Sequence, residues 1–252
     1  MGLKALAKNI ILTHISKFHY TPINCGRRRQ LSFEYILERI LYVLTTGCQW
    51  SKLEVTGGSW KTVYHYFSRW SDANLFKHAH DDLIRVYTKT KGLSKELIVD
   101  TSFIKNVFGR DCVGPSPFDR GRNATKVSVL TDKHGVPLSF SFHKGNRNDS
   151  RTLHNTFVKC SVNISGHCIY ADKIYDTENC RQVLTNFGLD DKISKKGSGQ
   201  AHPKDNRTRI VVEHCFSWLD KYRRIIVRYD ACVSRLRSFH YLAALQLTCG
   251  KL

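Results

Sequence analysis

The segment Glu96-Leu97-Ile98-Val99-Asp100-Thr101-Ser102 sets the architecture. An apolar run closed by a carboxylate reads as a buried strand that delivers Asp100 to the edge of its core. Cys168-Ile169-Tyr170-Ala171-Asp172 repeats the pattern. A third acid, Glu213, lies in Ile210-Val211-Val212-Glu213-His214, within helical spacing over 207–226. There Val212, Phe216 and Leu219 form an inward stripe, and Arg209, Glu213, Ser217 and Asp220 a polar one. Two neighbouring strands ending in Asp can set both carboxylates within reach of one hard cation, and Mg²⁺ needs few protein oxygens when phosphates supply the rest. Taken singly, each Asp reads equally well as a strand-end or turn residue, and Glu213 as the partner of Arg209 in a surface ion pair.

Around these segments, strand-like runs occupy about 96–103, 125–132, 136–143 and 167–172. Lys133-His134-Gly135 reads as a hairpin turn with its glycine left-handed. Helical stretches near 150–160 and 176–187 follow, and 197–206 reads as a loop leading into the Glu213 helix. Strands first, then alternation with helices, imply an α/β or α+β domain over 93–252.

Residues 1–92 carry a different pattern. Phe33, Ile36, Leu37, Ile40, Leu41 and Leu44 recur at helical spacing between a Ser32 cap and a Gly47 stop. Two more helices follow, Ser59–Trp70 and Asp72–Tyr87, with Gly57-Gly58 as a break before them. The three suit a small all-α unit of helix-turn-helix type that binds DNA, with Arg27, Arg28 and Arg29 as an arm on phosphate. Trp60, Phe67 and Trp70 read mainly as core, and the arginine run reads equally as a solvated loop.

Forty Lys and Arg against 21 acidic residues give a net charge of +19, a field that draws a polyanion such as a phosphate backbone. Between 195 and 237 there are eleven basic and four acidic residues. Nine scattered cysteines at no metal-knuckle spacing fit a reducing interior better than disulfides or zinc. The first eighteen residues lack a signal-peptide core, and no apolar run reaches membrane-spanning length, so an intracellular, DNA-associated protein is expected.

Together these segments resemble the DDE-triad transposases of bacterial insertion sequences, in the group numbered five, and their Harbinger-type eukaryotic relatives. The resemblance rests on residues 36–70, on Val99-Asp100-Thr101-Ser102, on 121–138, on Ala171-Asp172-Lys173-Ile174-Tyr175-Asp176, and on Arg209, Glu213, Trp218, Arg223, Arg224 and Arg228. Ile174 and His214 stand where that family usually has Gly and Arg. Of a related Tyr-Arg-Glu-Lys signature only Arg209 and Glu213 are present, beside Asn206 and Asp220.

The resemblance implies a ribonuclease-H-like mixed sheet flanked by helices, with Asp100 on the first strand, Asp172 beside the fourth and Glu213 on a late helix. It implies that Asp100 bridges two Mg²⁺ ions, with Mn²⁺ as a substitute, while Asp172 and Glu213 complete one site each. The expected reaction is phosphodiester hydrolysis and strand transfer on double-stranded DNA, element ends and target alike, by a homo-oligomer. Lys126, Arg209, Arg223, Arg224 and Arg228 are candidate phosphate contacts. Two other readings stay open: a non-catalytic DNA-binding protein that keeps the fold, and a nuclease that cuts without joining.

Overall fold

Ser32 accepts a hydrogen bond from the Tyr35 amide and Gly47 adopts the left-handed conformation, so α2 (Phe33–Thr46) begins and ends where its caps dictate. The computed structural model describes residues 4–19, 30–195 and 203–252, with side chains in the last segment from Ile210 onward. Arg27, Arg28 and Arg29 lie outside the described residues, as does the loop up to 202. Before α2 comes α1 (Ala5–Phe18), and after it a single 3-10 turn (Trp50–Lys52), α3 (Trp60–Asp72) and α4 (Leu75–Lys91). The sequence reading missed α1, although Ala7, Ile11 and Ile15 make a buried stripe at intervals of four.

The sheet follows: β1 (Glu96–Asn106), β2 (Gly114–Pro115), β3 (Asn123–Asp132) and β4 (Pro137–Lys144), then α5 (Leu153–Val158), β5 (Cys168–Tyr170), α6 (Glu178–Asn186) and β6 (Asp190–Asp191). The chain closes with α7 (Pro203–Leu219), α8 (Arg223–Ile226), β7 (Val227–Arg228) and α9 (Val233–Cys249). Strands β4, β3 and β1 are antiparallel neighbours, β5 runs parallel on the other side of β1, and β6 runs parallel to β5. This is the mixed, ribonuclease-H-like sheet order that the resemblance implies. The hairpin between β3 and β4 turns at Gly135, whose φ of 76° is the left-handed value its turn requires.

Alternation along the strands separates two cores. Ile98, Val127, Val129, Phe140 and Tyr170 face α7 and α9, whereas Leu97, Val99, Leu130, Leu138 and Ile169 face α5, α6 and the end of α4. The first core does not stop at residue 92. Phe67 and Trp70 of α3, Leu83 of α4 and Phe239 of α9 join it, so the boundary expected at 92/93 is not a packing boundary. No helix among the described residues is long and apolar enough to cross a membrane.

Candidate active site

Parallel pairing fixes the two aspartates. Ile98 of β1 is in register with Tyr170 of β5, so Asp100 and Asp172 each lie two residues beyond a matched pair. Adjacent strands are about 4.8 Å apart, so the two positions sit side by side, but Asp100 lies midway along β1, which continues past the expected end at 103 to Asn106, and Asp172 lies just past the end of β5. Both are half-buried. Asp100 lies opposite Val129 and accepts a hydrogen bond from the Thr101 amide at 2.8 Å. Asp172 lies two residues past the end of β5 and caps the 3-10 turn Lys173–Tyr175, its carbonyl accepting from the Tyr175 amide.

Helix α7 packs on the face that carries Ile98, with Val212, Cys215 and Leu219 buried against β1 and its neighbours. Glu213, one residue from Val212, is exposed. The helix expected over 207–226 is shorter at its far end: it starts at Pro203, whose fixed φ suits a first turn, and stops at Leu219. Tyr222 is extended, so Arg223 and Arg224 begin a separate turn of helix. Among the described residues, no three His, Cys, Asp or Glu side chains converge closely enough to hold a metal. The donor chemistry nevertheless fits a hard divalent cation, since carboxylates on β1 and just past β5 lie adjacent and a third is exposed on the helix that covers their face.

The surroundings of Asp100 include groups that the sequence reading missed. Tyr175 is fully buried, and burial first, then the charges of Asp100 and Asp149, raise its hydroxyl pKa well above the usual value. Asp149 in turn is held by Lys126, whose ammonium also donates to the Arg147 carbonyl and lies 4.7 Å from the Phe103 ring centre. No local signal announces this pair, because its members are 23 positions apart in sequence and meet only when the loop after β4 folds back over β3.

That pairing corrects one expected phosphate contact, and burial corrects two more. Lys126 is 4% exposed and engaged internally. Arg224, also 4% exposed, makes a two-bond pair with Asp230 at 2.9 and 3.2 Å. Arg228 is wholly buried and bonded to Asp111, Thr125, Asp230 and Ala231. These three cations hold the fold and present nothing to a DNA backbone. Arg223 alone of this group is exposed; the side chain of Arg209 and all of Arg27, Arg28 and Arg29 lie outside the described residues.

Comparison with known proteins places the chain in a family. Residues 9–80 match the family described as "Putative transposase of IS4/5 family", and residues 91–232 match the family described as "Transposase DDE domain". The chain is 32% identical over 135 residues to the "Putative transposase for insertion sequence element IS402" of Burkholderia cepacia. That alignment spans 49% of this chain and 62% of the relative, under two thirds of its length. The Mos1 transposase paired-end complex is similar at a TM-score of 0.31 and 12% identity, over 89% of this chain and 79% of that one. The catalytic domain of Mos1 mariner transposase is similar at a TM-score of 0.27 and 16% identity, over 69% and 89%. Both superpositions are too loose to define corresponding positions. With the DDE-domain match extending over more than half of its residues, this chain belongs to the DDE transposase family.

Proposed function

We propose that this chain is a DNA transposase that hydrolyses a phosphodiester at the ends of its own element and directs the freed 3′-hydroxyl onto target DNA. The observation that carries the reading is that Asp100 and Asp172 each lie two residues beyond the Ile98–Tyr170 pair of adjacent parallel strands, on the face packed by the helix that bears Glu213. Asp100, Asp172 and Glu213 are the residues to hold two Mg²⁺ ions, or Mn²⁺. When bound, such ions polarise the phosphoryl oxygens and activate the attacking oxygen.

The chain's own residues do the positioning. Strand pairing fixes the first two carboxylates, while exposed Glu213 reaches in from α7 as the site assembles on its substrate. Arg223 faces solvent at the start of α8, where it meets the DNA backbone. The helical segment up to residue 92, with Arg27, Arg28 and Arg29, reads the element ends. The partner is double-stranded DNA, bound by a homo-oligomer inside the cell.

The test is a strand-transfer assay on labelled duplex ends with Mg²⁺ or Mn²⁺. Asp100→Asn, Asp172→Asn and Glu213→Gln should each lower both cleavage and joining by roughly a thousandfold, with end binding retained. Nicking without transfer would instead identify a nuclease. Binding with no divalent-dependent cleavage by the wild type would identify a non-catalytic DNA-binding protein.

A further inference from the structure

A second concave surface lies at the same end of the sheet as the carboxylates. Where β4 ends, the chain turns through Lys144, Asn146 and Arg147 and returns through Arg151 and Asn155. With Phe142 at its base, this stretch lines a cavity of about 560 Å³. The Lys126–Asp149 pair fastens the loop above it to β3.

The cavity's charge is unusual for this molecule. Most well-placed cations here have a carboxylate: Lys126 has Asp149, Arg181 has Asp176 and Asp191, Arg224 has Asp230, and Arg235 has Asp72. Lys144, Arg147 and Arg151 form no ion pair with any described residue, and no acidic side chain lines the cavity. Three like charges gathered around one hollow repel each other, and an anion entering it relieves that repulsion. His143, on the cavity wall, has its pKa lowered to about 4 by burial first, then by Lys159, Arg147 and Lys126.

Size selects among anions. A hollow of this volume is of small-ligand dimensions, so it takes one strand and excludes a duplex. Arg147, Arg151 and Lys144 supply donors for phosphate, the Asn146 and Asn155 amides both donate and accept at a base edge, and Phe142 offers an apolar floor. Distance links the hollow to the carboxylates. Phe142, which lines the hollow, is opposite Val127, Val127 is opposite Ser102, and Ser102 is two residues beyond Asp100 on the same face of the sheet. At strand spacings this is roughly 12 Å, within reach of one continuous strand a few nucleotides long.

We infer that the hollow lined by Lys144, Arg147, Arg151, Asn146 and Asn155 binds an unpaired DNA strand, gripping its phosphates next to the Asp100–Asp172 site. The inference rests on the reading of this chain as acting on DNA, and it assigns a separate subsite for one strand.

The experiment measures binding of a fluorescein-labelled single strand, and of the matching duplex, by anisotropy over a salt series without divalent ions. The full chain is compared with Arg147→Ala/Arg151→Ala and with Lys89→Ala/Lys91→Ala, which removes two exposed cations at the end of α4. The cavity variant should bind the single strand about tenfold more weakly, and its slope of log affinity against log salt should shrink by about 1.4, since two phosphates are no longer neutralised. A single-strand loss of that size, clearly larger than any loss on the duplex, supports the subsite. A loss no larger than the α4 control, or one as large on the duplex, overturns it. Because the assay contains no metal, the result is independent of catalysis: a chain that binds through this hollow yet never cleaves would refute only the transposase reading.

Discussion

Replacing Arg228 with Met separates a structural cation from a DNA-binding one. Its guanidinium is wholly buried and donates to the Asp230 carbonyl at 3.0 Å, the Asp111 carbonyl at 2.6 Å, Thr125 Oγ1 at 2.8 Å and the Ala231 carbonyl at 2.9 Å, besides its ion pair with Asp111. Its own carbonyl accepts from Val107, so one residue ties the 107–112 loop, β3 and the turn after β7 together. Removing one member of a buried pair costs about 3–5 kcal/mol. Asp111 is 50% exposed and can rehydrate, which places the loss near the lower end, about 3 kcal/mol. For a chain of this length that is a melting-temperature drop of roughly 6–12 °C. Thermal unfolding followed by circular dichroism reads it directly. Arg223→Ala, at an exposed position, should melt with the wild type and lose DNA affinity instead. If Arg228→Met melts within about 2 °C of wild type while weakening DNA binding as Arg223→Ala does, the buried-clamp reasoning is wrong.

Two further outcomes follow from the packing. Burial lowers the imidazole of His80 to about 3 and that of His240 to about 4, against about 6.5 in an unfolded chain. The unfolded state therefore binds more protons between roughly pH 4 and 6.5, and the stabilisation, complete above that window, is lost as pH falls through it. From pH 6.5 to 5.5 the two histidines should cost about 2 kcal/mol, and urea midpoints that do not move between these values would exclude it. A methyl group added at Gly109 would collide with Asn106 Oδ1 and with Nε of Arg228, so Gly109→Ala should destabilise by about 1–3 kcal/mol. Wild-type melting of that variant would show that the loop yields freely.

Much of the fold is local and therefore readable. The caps of α2, the left-handed Gly135 and the nearly continuous buried runs of β1, β3 and β4, strands covered on both faces, are properties of short segments. Helix α9 is harder to read because it is wedged between the first core and α3 and α4, so it is apolar on most of its surface and shows little of the amphipathic signal that marks a helix. The helix expected over 207–226 overruns its true end because the apolar spacing continues through Ile225, and only the extended backbone at Tyr222 breaks it.

The acids and the elements that carry them are legible in the chain alone. Asp100 and Asp172 each close an apolar run, and Glu213 lies in a helix, because strand and helix periodicities are written in neighbouring residues. Which charges are free to act emerges only in three dimensions. Lys126, Arg224 and Arg228 look no different in sequence from Lys144, Arg147 and Arg151, yet the first three are neutralised by Asp149, Asp230 and Asp111 and the others are not. An ion pair depends on a few ångströms of separation in space. For Arg228 and Asp111 that closeness joins residues 117 positions apart, and no local pattern records it.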